Sequence, residues 1–226
     1  MFGRGFLDHA ETEIREHLAS IRRVLFVPYA LFDRDAYAAT AQRRFELLGY
    51  ELESIHRAAN PQEAARRAEA IFIGGGNTFR LLKNLYDYRL LHAIRGQVAD
   101  GAPYIGSSAG SVVACPTLKT TNDMPVVEPP SFMALGLVPF QINAHYLDPQ
   151  PGSTHMGETR EVRLREFLEE NDMPVVGLRE GAMLRVEDDS VQLKGTTGAR
   201  IFRRGLDPVE LHPETFLHDI LSSPHV

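Results

Sequence analysis

The pentapeptide Gly106-Ser107-Ser108-Ala109-Gly110 places one hydroxyl between glycines at a junction where an apolar run gives way to helix-forming residues. A serine hydroxyl becomes a useful nucleophile only when a base takes its proton and fixed donors receive the charge that builds on the attacked carbonyl. The G-x-S-x-G spacing suits that chemistry. Small residues two positions either side of Ser108 let a strand and a helix approach closely, and the helix N-terminus turns N–H groups toward a developing oxyanion. The spacing puts Ser108, not Ser107, at the apex. A plain Gly/Ser turn would satisfy the same pattern, so a partner base must decide.

Of nine histidines, His9, His17 and His92 fall in helical stretches and His212, His218 and His225 in a polar tail. His145 differs. It ends Phe140-Gln141-Ile142-Asn143-Ala144-His145, a strand running into a proline-bearing loop, where a general base is commonly carried. Two acids are candidates to orient its ring: Asp123, in Thr120-Thr121-Asn122-Asp123-Met124-Pro125, and Glu180, at a strand end in Gly177-Leu178-Arg179-Glu180-Gly181. Either can hold an imidazole in the required tautomer, and the sequence does not choose between them.

A second glycine cluster, Gly74-Gly75-Gly76-Asn77, follows an apolar run. It has neither the G-x-G-x-x-G spacing nor the Lys-Ser/Thr ending of a phosphate-binding loop, which disfavours a nucleotide. A glycine there can instead bring a backbone N–H close to an oxyanion, and Asn77 either caps the next helix or helps orient a substrate.

The elements that must position these residues follow from periodicity. Helices are expected over 8–20, from Asp35 to Leu48 with Gly49 closing, from Pro61, over 78–83 and 89–99, from Ala109, and over 158–169. Strands are expected over 24–27, 50–55, 70–73, 103–106 and 174–178, with short antiparallel strands over 182–186, 191–193 and 199–202. Residues 116–148 read as a long loop region with short strands. Alternating strands and helices predict an α/β fold: a largely parallel sheet flanked by helices, with a short antiparallel C-terminal part. The 226 residues, 43% of them hydrophobic, are enough for one domain spanning 1–226.

The formal net charge of −6 and scattered basic doublets argue against nucleic acid as a partner. The lone Cys115 excludes an internal disulfide and suits a reducing compartment; seven residues past Ser108, it reads as a packing residue. The absence of a long apolar run leaves a cytoplasmic protein, with no membrane association, as the expectation. No metal ligand spacing is present, and no cofactor is expected.

Taken in order, IFIGGGNTFRLLK, YIGSSAGSVVACPTLKTTNDMPVVEP, FQINAHY and GETREVRLREFL resemble peptidase E, the cytoplasmic aspartyl dipeptidase family of serine peptidases, from about Arg23 to Arg203. The resemblance implies a class I glutamine-amidotransferase-like, flavodoxin-like three-layer fold and hydrolysis of dipeptides with an N-terminal aspartate (Asp-X). It implies Ser108 as nucleophile and His145 as base, carries over both Asp123 and Glu180 as triad acids, and assigns the oxyanion hole to the N–H groups of Gly76 and Ala109. Arg160, in Gly157-Glu158-Thr159-Arg160, matches the arginine that grips the substrate's aspartyl carboxylate, a task a planar guanidinium performs bidentately. The resemblance leaves room for a homodimer.

Two departures stand out. No apolar strand precedes the first helix, and the stretch between His145 and GETR is a residue longer than the family's spacing, with His155 as an extra candidate for substrate contact. The alternatives are a cyanophycinase-like serine peptidase, another small-peptide aminopeptidase of the same fold, and a non-catalytic ligand-binding protein.

Overall fold

The run Ile71-Phe72-Ile73 has no polar alternation because both of its faces are covered; all three residues are fully buried, as are Phe26 and Val27 beside them. The computed structural model describes residues 5–149 and 157–217. It divides into two compact units, Met1–Leu137 and Val138–Val226.

In the first unit, α1 (Glu11–Leu18) leads into β1 (Arg23–Val27), followed by α2 (Arg34–Leu47), β2 (Glu51–Ser54), α3 (Pro61–Arg66), β3 (Ile71–Ile73), α4 (Thr78–Asp87), α5 (Leu90–Ala99), β4 (Tyr104–Gly106) and α6 (Ala109–Ala114). The four strands form one parallel sheet in the order β2-β1-β3-β4. Its core is aromatic: Phe72 stacks on Phe26 and Phe45 at centroid distances of 5.0 and 5.3 Å, and Tyr37 meets Phe26 edge-on at 5.0 Å. Helix starts follow local chemistry. Asp33 caps α2 by accepting from the Ala36 N–H at 2.9 Å, Asn60 caps α3 ahead of Pro61, and Gly49 closes α2 at φ 89°.

The strand order has a functional consequence. The chain moves outward from β1 to β2 and then returns across β1 to β3, so the loops after β1 and β3 diverge at the carboxyl edge of the sheet. A crevice at such a switch point is where open parallel sheets bind ligands. The glycine cluster at 74–76 and the serine turn at 106–110 both lie at that edge, directly after β3 and β4.

The second unit contains β5 (Gln141–Ala144), α7 (Arg160–Glu170), β6 (Val175–Leu178), β7 (Ala182–Glu187), β8 (Ser190–Gly195), β9 (Ala199–Phe202) and β10 (Val209–Leu211). One sheet runs β10-β9-β6-β5, with β5 and β6 parallel and the other pairs antiparallel; β7 and β8 form a separate hairpin. Leu164 and Leu168 of α7 pack on Tyr146, Val175 and Phe202 to form this unit's core. The expected helices and strands are present, and the antiparallel C-terminal part is as anticipated. The edge strand β10 has no counterpart in the sequence reading: three residues, two of them exposed, carry no period. Among the described residues no strand precedes α1, and no helix is long and apolar enough to cross a membrane.

Replacing Phe72 by Ala removes the ring on which Phe26 and Phe45 stack and should cost about 3–5 kcal/mol of unfolding free energy. Urea titration followed by circular dichroism measures it; a loss below about 1 kcal/mol would contradict this account of the core.

Candidate active site

The turn between β4 and α6 is set by main-chain crowding. A Cβ on Gly110 would run into the Ile73 carbonyl of the neighbouring strand, and one on Gly106 would lie 2.7 Å from the Gly110 carbonyl carbon and oxygen. With both side chains absent, the turn closes on its own hydrogen bonds. Ser107 N–H donates to the Ile73 carbonyl at 3.0 Å, Ser111 Oγ to the Gly106 carbonyl at 2.8 Å, and Tyr104 Oη to the Gly110 carbonyl at 2.6 Å. Between them Ser108 is held at φ 51°, ψ −107°. A non-glycine residue in that region costs on the order of 1–3 kcal/mol and persists only where the surroundings over-determine it. This is the strained elbow that the G-x-S-x-G spacing anticipates.

The glycine cluster comes up against the elbow. A Cβ on Gly75 would stand 3.1 Å from Ser108 Cβ and 3.7 Å from Ser108 Oγ, so a side chain there would press on the serine by a few tenths of an ångström. Gly76 adopts φ 129°, and a side chain there would meet Ala30 and Leu31. Among the described residues, no backbone–backbone hydrogen bond outside the helices and strands engages the Gly76 or Ala109 N–H. Tyr37 backs the cluster from α2: its ring leaves no room for a Cβ on Gly74, and burial pushes its hydroxyl up to about 12 despite the opposing Gly75 N–H.

Past the glycines, Asn77 caps α4 through the Arg80 N–H at 3.0 Å and donates its amide to the Met124 carbonyl at 2.8 Å. Asp123 Oδ2 accepts from both the Thr78 N–H (2.7 Å) and the Thr78 hydroxyl (2.5 Å). Its own N–H donates to Thr121 Oγ1 at 3.2 Å, which in turn donates to Thr78 Oγ1 at 3.0 Å.

In the second unit the parallel register of β5 on β6 pairs Ala144 with Leu178, so the two chains leave the sheet side by side. His145 and Glu180 follow those paired ends, and His145 Nδ1 is hydrogen-bonded to Glu180 Oε1. His145 sits at φ 56°, a kink that lets Ala144 and Tyr146, both buried, flank a half-exposed imidazole. Tyr146 N–H donates to the Leu178 carbonyl at 3.0 Å, and its ring fills the space that Gly177 leaves. Arg179 steadies the outer side. It grips Asp148 at 2.7 and 2.9 Å and Glu210 at 2.5 and 2.9 Å, with its guanidinium 5.8 Å from the Tyr146 ring centroid. Hydrogen bonding to Arg179 holds the Asp148 carboxyl below its ordinary value.

The structure therefore brings the Glu180 carboxylate to the His145 ring, while Asp123 is engaged at the N-terminus of α4. Arg160 is the first residue of α7, behind the cap provided by Thr159 to the Val162 N–H at 3.2 Å. Cys115, just beyond the end of α6 at Ala114, is fully buried, as a packing residue would be. His155 lies outside the described residues. Among those residues no three His, Cys, Asp or Glu side chains cluster as metal ligands. Tyr37, Thr78 and the Arg179 network escape a sequence reading, since each acts through partners from distant segments.

The sequence model described as Peptidase family S51 matches residues 2–194, most of the chain. The chain belongs to this family. A protein of Streptomyces coelicolor named Peptidase E is 54% identical over 219 residues, covering 97% of this chain and 90% of that protein. One of Drosophila melanogaster, named as a probable alpha-aspartyl dipeptidase, is 48% identical over 216 residues, covering 94% and 90%. The crystal structure of a peptidase from an acI-B1 Actinobacterium has a TM-score of 0.68 at 17% identity, covering 96% of this chain and 92% of that one, which is a likeness of fold. The S51 assignment and the parallel sheet with its flanking helices agree with the fold expected from the sequence.

Two opposite glycine substitutions test the elbow. Gly110→Ala should lose about 3 kcal/mol, the upper end of the overpacking range, because its clash is with backbone, whereas Gly96→Ala, in α5 with nothing within 4 Å of a Cβ, should gain about 0.5–1 kcal/mol. Denaturant midpoints measure both; a tolerated Gly110→Ala would contradict the crowding argument. The Arg179 network predicts a pH dependence. Because the folded Asp148 pKa is lowered, its contribution is present in full above about pH 5 and fades as pH falls below the ordinary aspartate value of about 3.9. Asp148→Asn should therefore be less stable than the parent at neutral pH and converge with it in acid, as followed by thermal melts across pH; parallel curves would refute this.

Proposed function

We propose that this S51 peptidase hydrolyses dipeptides carrying an N-terminal aspartate through an acyl-enzyme on Ser108. The observation that carries the reading is the Ser108 backbone at φ 51°, held between Gly106 and Gly110 with Gly75 alongside. The names of the relatives supply the substrate class.

Glu180 bonds Nδ1 of His145 and so leaves Nε2 as the basic nitrogen. His145 takes the Ser108 proton as Oγ attacks the aspartyl carbonyl. The Gly76 and Ala109 N–H groups receive the oxyanion. The imidazolium then protonates the departing amine, the peptide C–N bond breaks, and aspartate stays esterified to Ser108. Water attacks the ester with His145 again as base, releasing aspartate and restoring the hydroxyl. Arg160 pairs with the substrate's side-chain carboxylate, and Asn77 orients the bound dipeptide. The reading takes both compact units as one catalytic domain, needs no cofactor, and places the enzyme in a reducing cytoplasm, with a homodimer as its candidate assembly.

Ser108→Ala should lower kcat for Asp-Leu by about 10⁶-fold and Glu180→Gln by about 10⁴-fold. Arg160→Ala should reduce the preference for Asp-Leu over Ala-Leu by about 10- to 100-fold, the worth of a charge-assisted pair. Amino-acid release from purified protein measures all three. Near-parental activity of Ser108→Ala would overturn the reading.

A further inference from the structure

Asp123 shares the sequence stretch that made it a candidate orienting acid, yet its hydrogen bonds converge on one place. Oδ2 takes both donors of Thr78, at 2.7 and 2.5 Å. Thr78 is only 1% exposed, so its N–H and hydroxyl have little water to turn to. Thr121 completes a closed triangle, bonded at once to Thr78 Oγ1 and to the Asp123 N–H. One residue earlier, Asn77 reaches across to the Met124 carbonyl while its oxygen caps α4. Residues 121–124 are thus clamped to the two residues that follow Gly76.

Gly76 needs such a clamp. At φ 129° without a side chain it has the widest conformational freedom of any residue type, and a peptide plane there can rotate readily. A donor that must meet an oxyanion is useful only if its direction is fixed before the charge appears. From the amino side the turn is held by Gly74 N–H on the Val27 carbonyl (3.2 Å) and from the carboxyl side by Asn77 N–H on the Ala30 carbonyl (3.0 Å). The Asp123–Thr78 pair fixes the next peptide and with it the start of α4.

We propose that Asp123 is a positioning residue: through Thr78 it locks the glycine turn so that the Gly76 N–H faces the developing oxyanion. The inference rests on the acyl-enzyme reading above, but its structural half can be tested without turnover. An amide oxygen at position 123 can still accept from Thr78, whereas an amide at an orienting acid abolishes the needed tautomer. Asp123→Asn and Asp123→Ala therefore separate the two roles.

The experiment compares Asp123→Asn, Asp123→Ala, Thr78→Val and Glu180→Gln by steady-state kinetics on Asp-Leu across pH, and by hydrogen exchange of the peptide covering residues 74–78. For Asp123→Ala the expected results are a kcat reduced about 10²-fold, as for a misplaced oxyanion donor, a KM within about 3-fold, and faster exchange at 74–78. Asp123→Asn should recover to within about 10-fold of the parent with the pH profile of kcat/KM unmoved. Thr78→Val should lower kcat in the same direction and add little to Asp123→Ala in the double variant, since both break one interaction. The proposal is overturned if Asp123→Asn falls about 10⁴-fold, matching Glu180→Gln, or if exchange at 74–78 is unchanged in Asp123→Ala. A parent protein inactive on Asp-X dipeptides would refute the substrate reading alone; the exchange result would still decide whether Asp123 clamps the turn.

Discussion

The close crossing of β4 and α6 over β3 is the constraint on which the serine site depends. Gly110 lies against the Ile73 carbonyl, and Gly106 lies against Gly110, so the chain can reverse from strand to helix only in one narrow way. That reversal forces Ser108 into a backbone conformation most residues avoid, and the hydrogen bonds of Ser107, Ser111 and Tyr104 hold it there. The strain is tolerated because rigid elements on both sides leave no relaxed alternative. Gly75 shares that crowding, since it passes close to the serine, whereas Gly74 makes room for the Tyr37 ring and Gly76 for Ala30 and Leu31.

A different economy governs the second unit. Its ion pairs are many, and most have at least one partner open to solvent; exposed pairs individually contribute about 0–1 kcal/mol. Stability there rests on Tyr146, Phe202, Val175, Leu164 and Leu168 packing together, while the charges of Arg179, Asp148 and Glu210 fix the direction of the loops that carry His145 and Glu180. Packing holds the frame, and directional polar contacts aim the side chains.

Much of this was legible in the residues. Parallel strands buried on both faces announce themselves as uninterrupted apolar runs, so Val24–Val27 and Ile71–Ile73 could be read directly, Asn77 could be read as a cap and Pro61 as a helix start, while the capping roles of Asp33 and Asn60 emerged only in the structure. The serine turn and the glycine turn were also visible, because main-chain crowding leaves a glycine signature at fixed spacing. The choice between Asp123 and Glu180 was not. Which acid meets the imidazole depends on the register of β5 against β6, a pairing between segments more than thirty residues apart that no local pattern encodes. The clamp on Thr78 was hidden for the same reason, and β10 was too short and too exposed to show alternation.

Trapping the covalent intermediate tests the account most directly. Protein quenched in acid during turnover of an aspartyl p-nitroanilide, digested and analysed by mass spectrometry, should show an aspartyl group on the peptide containing Ser108, and no adduct in Ser108→Ala. Turnover without any adduct on that peptide, or with the aspartyl group on another residue, would contradict the claim that the strained serine is the nucleophile.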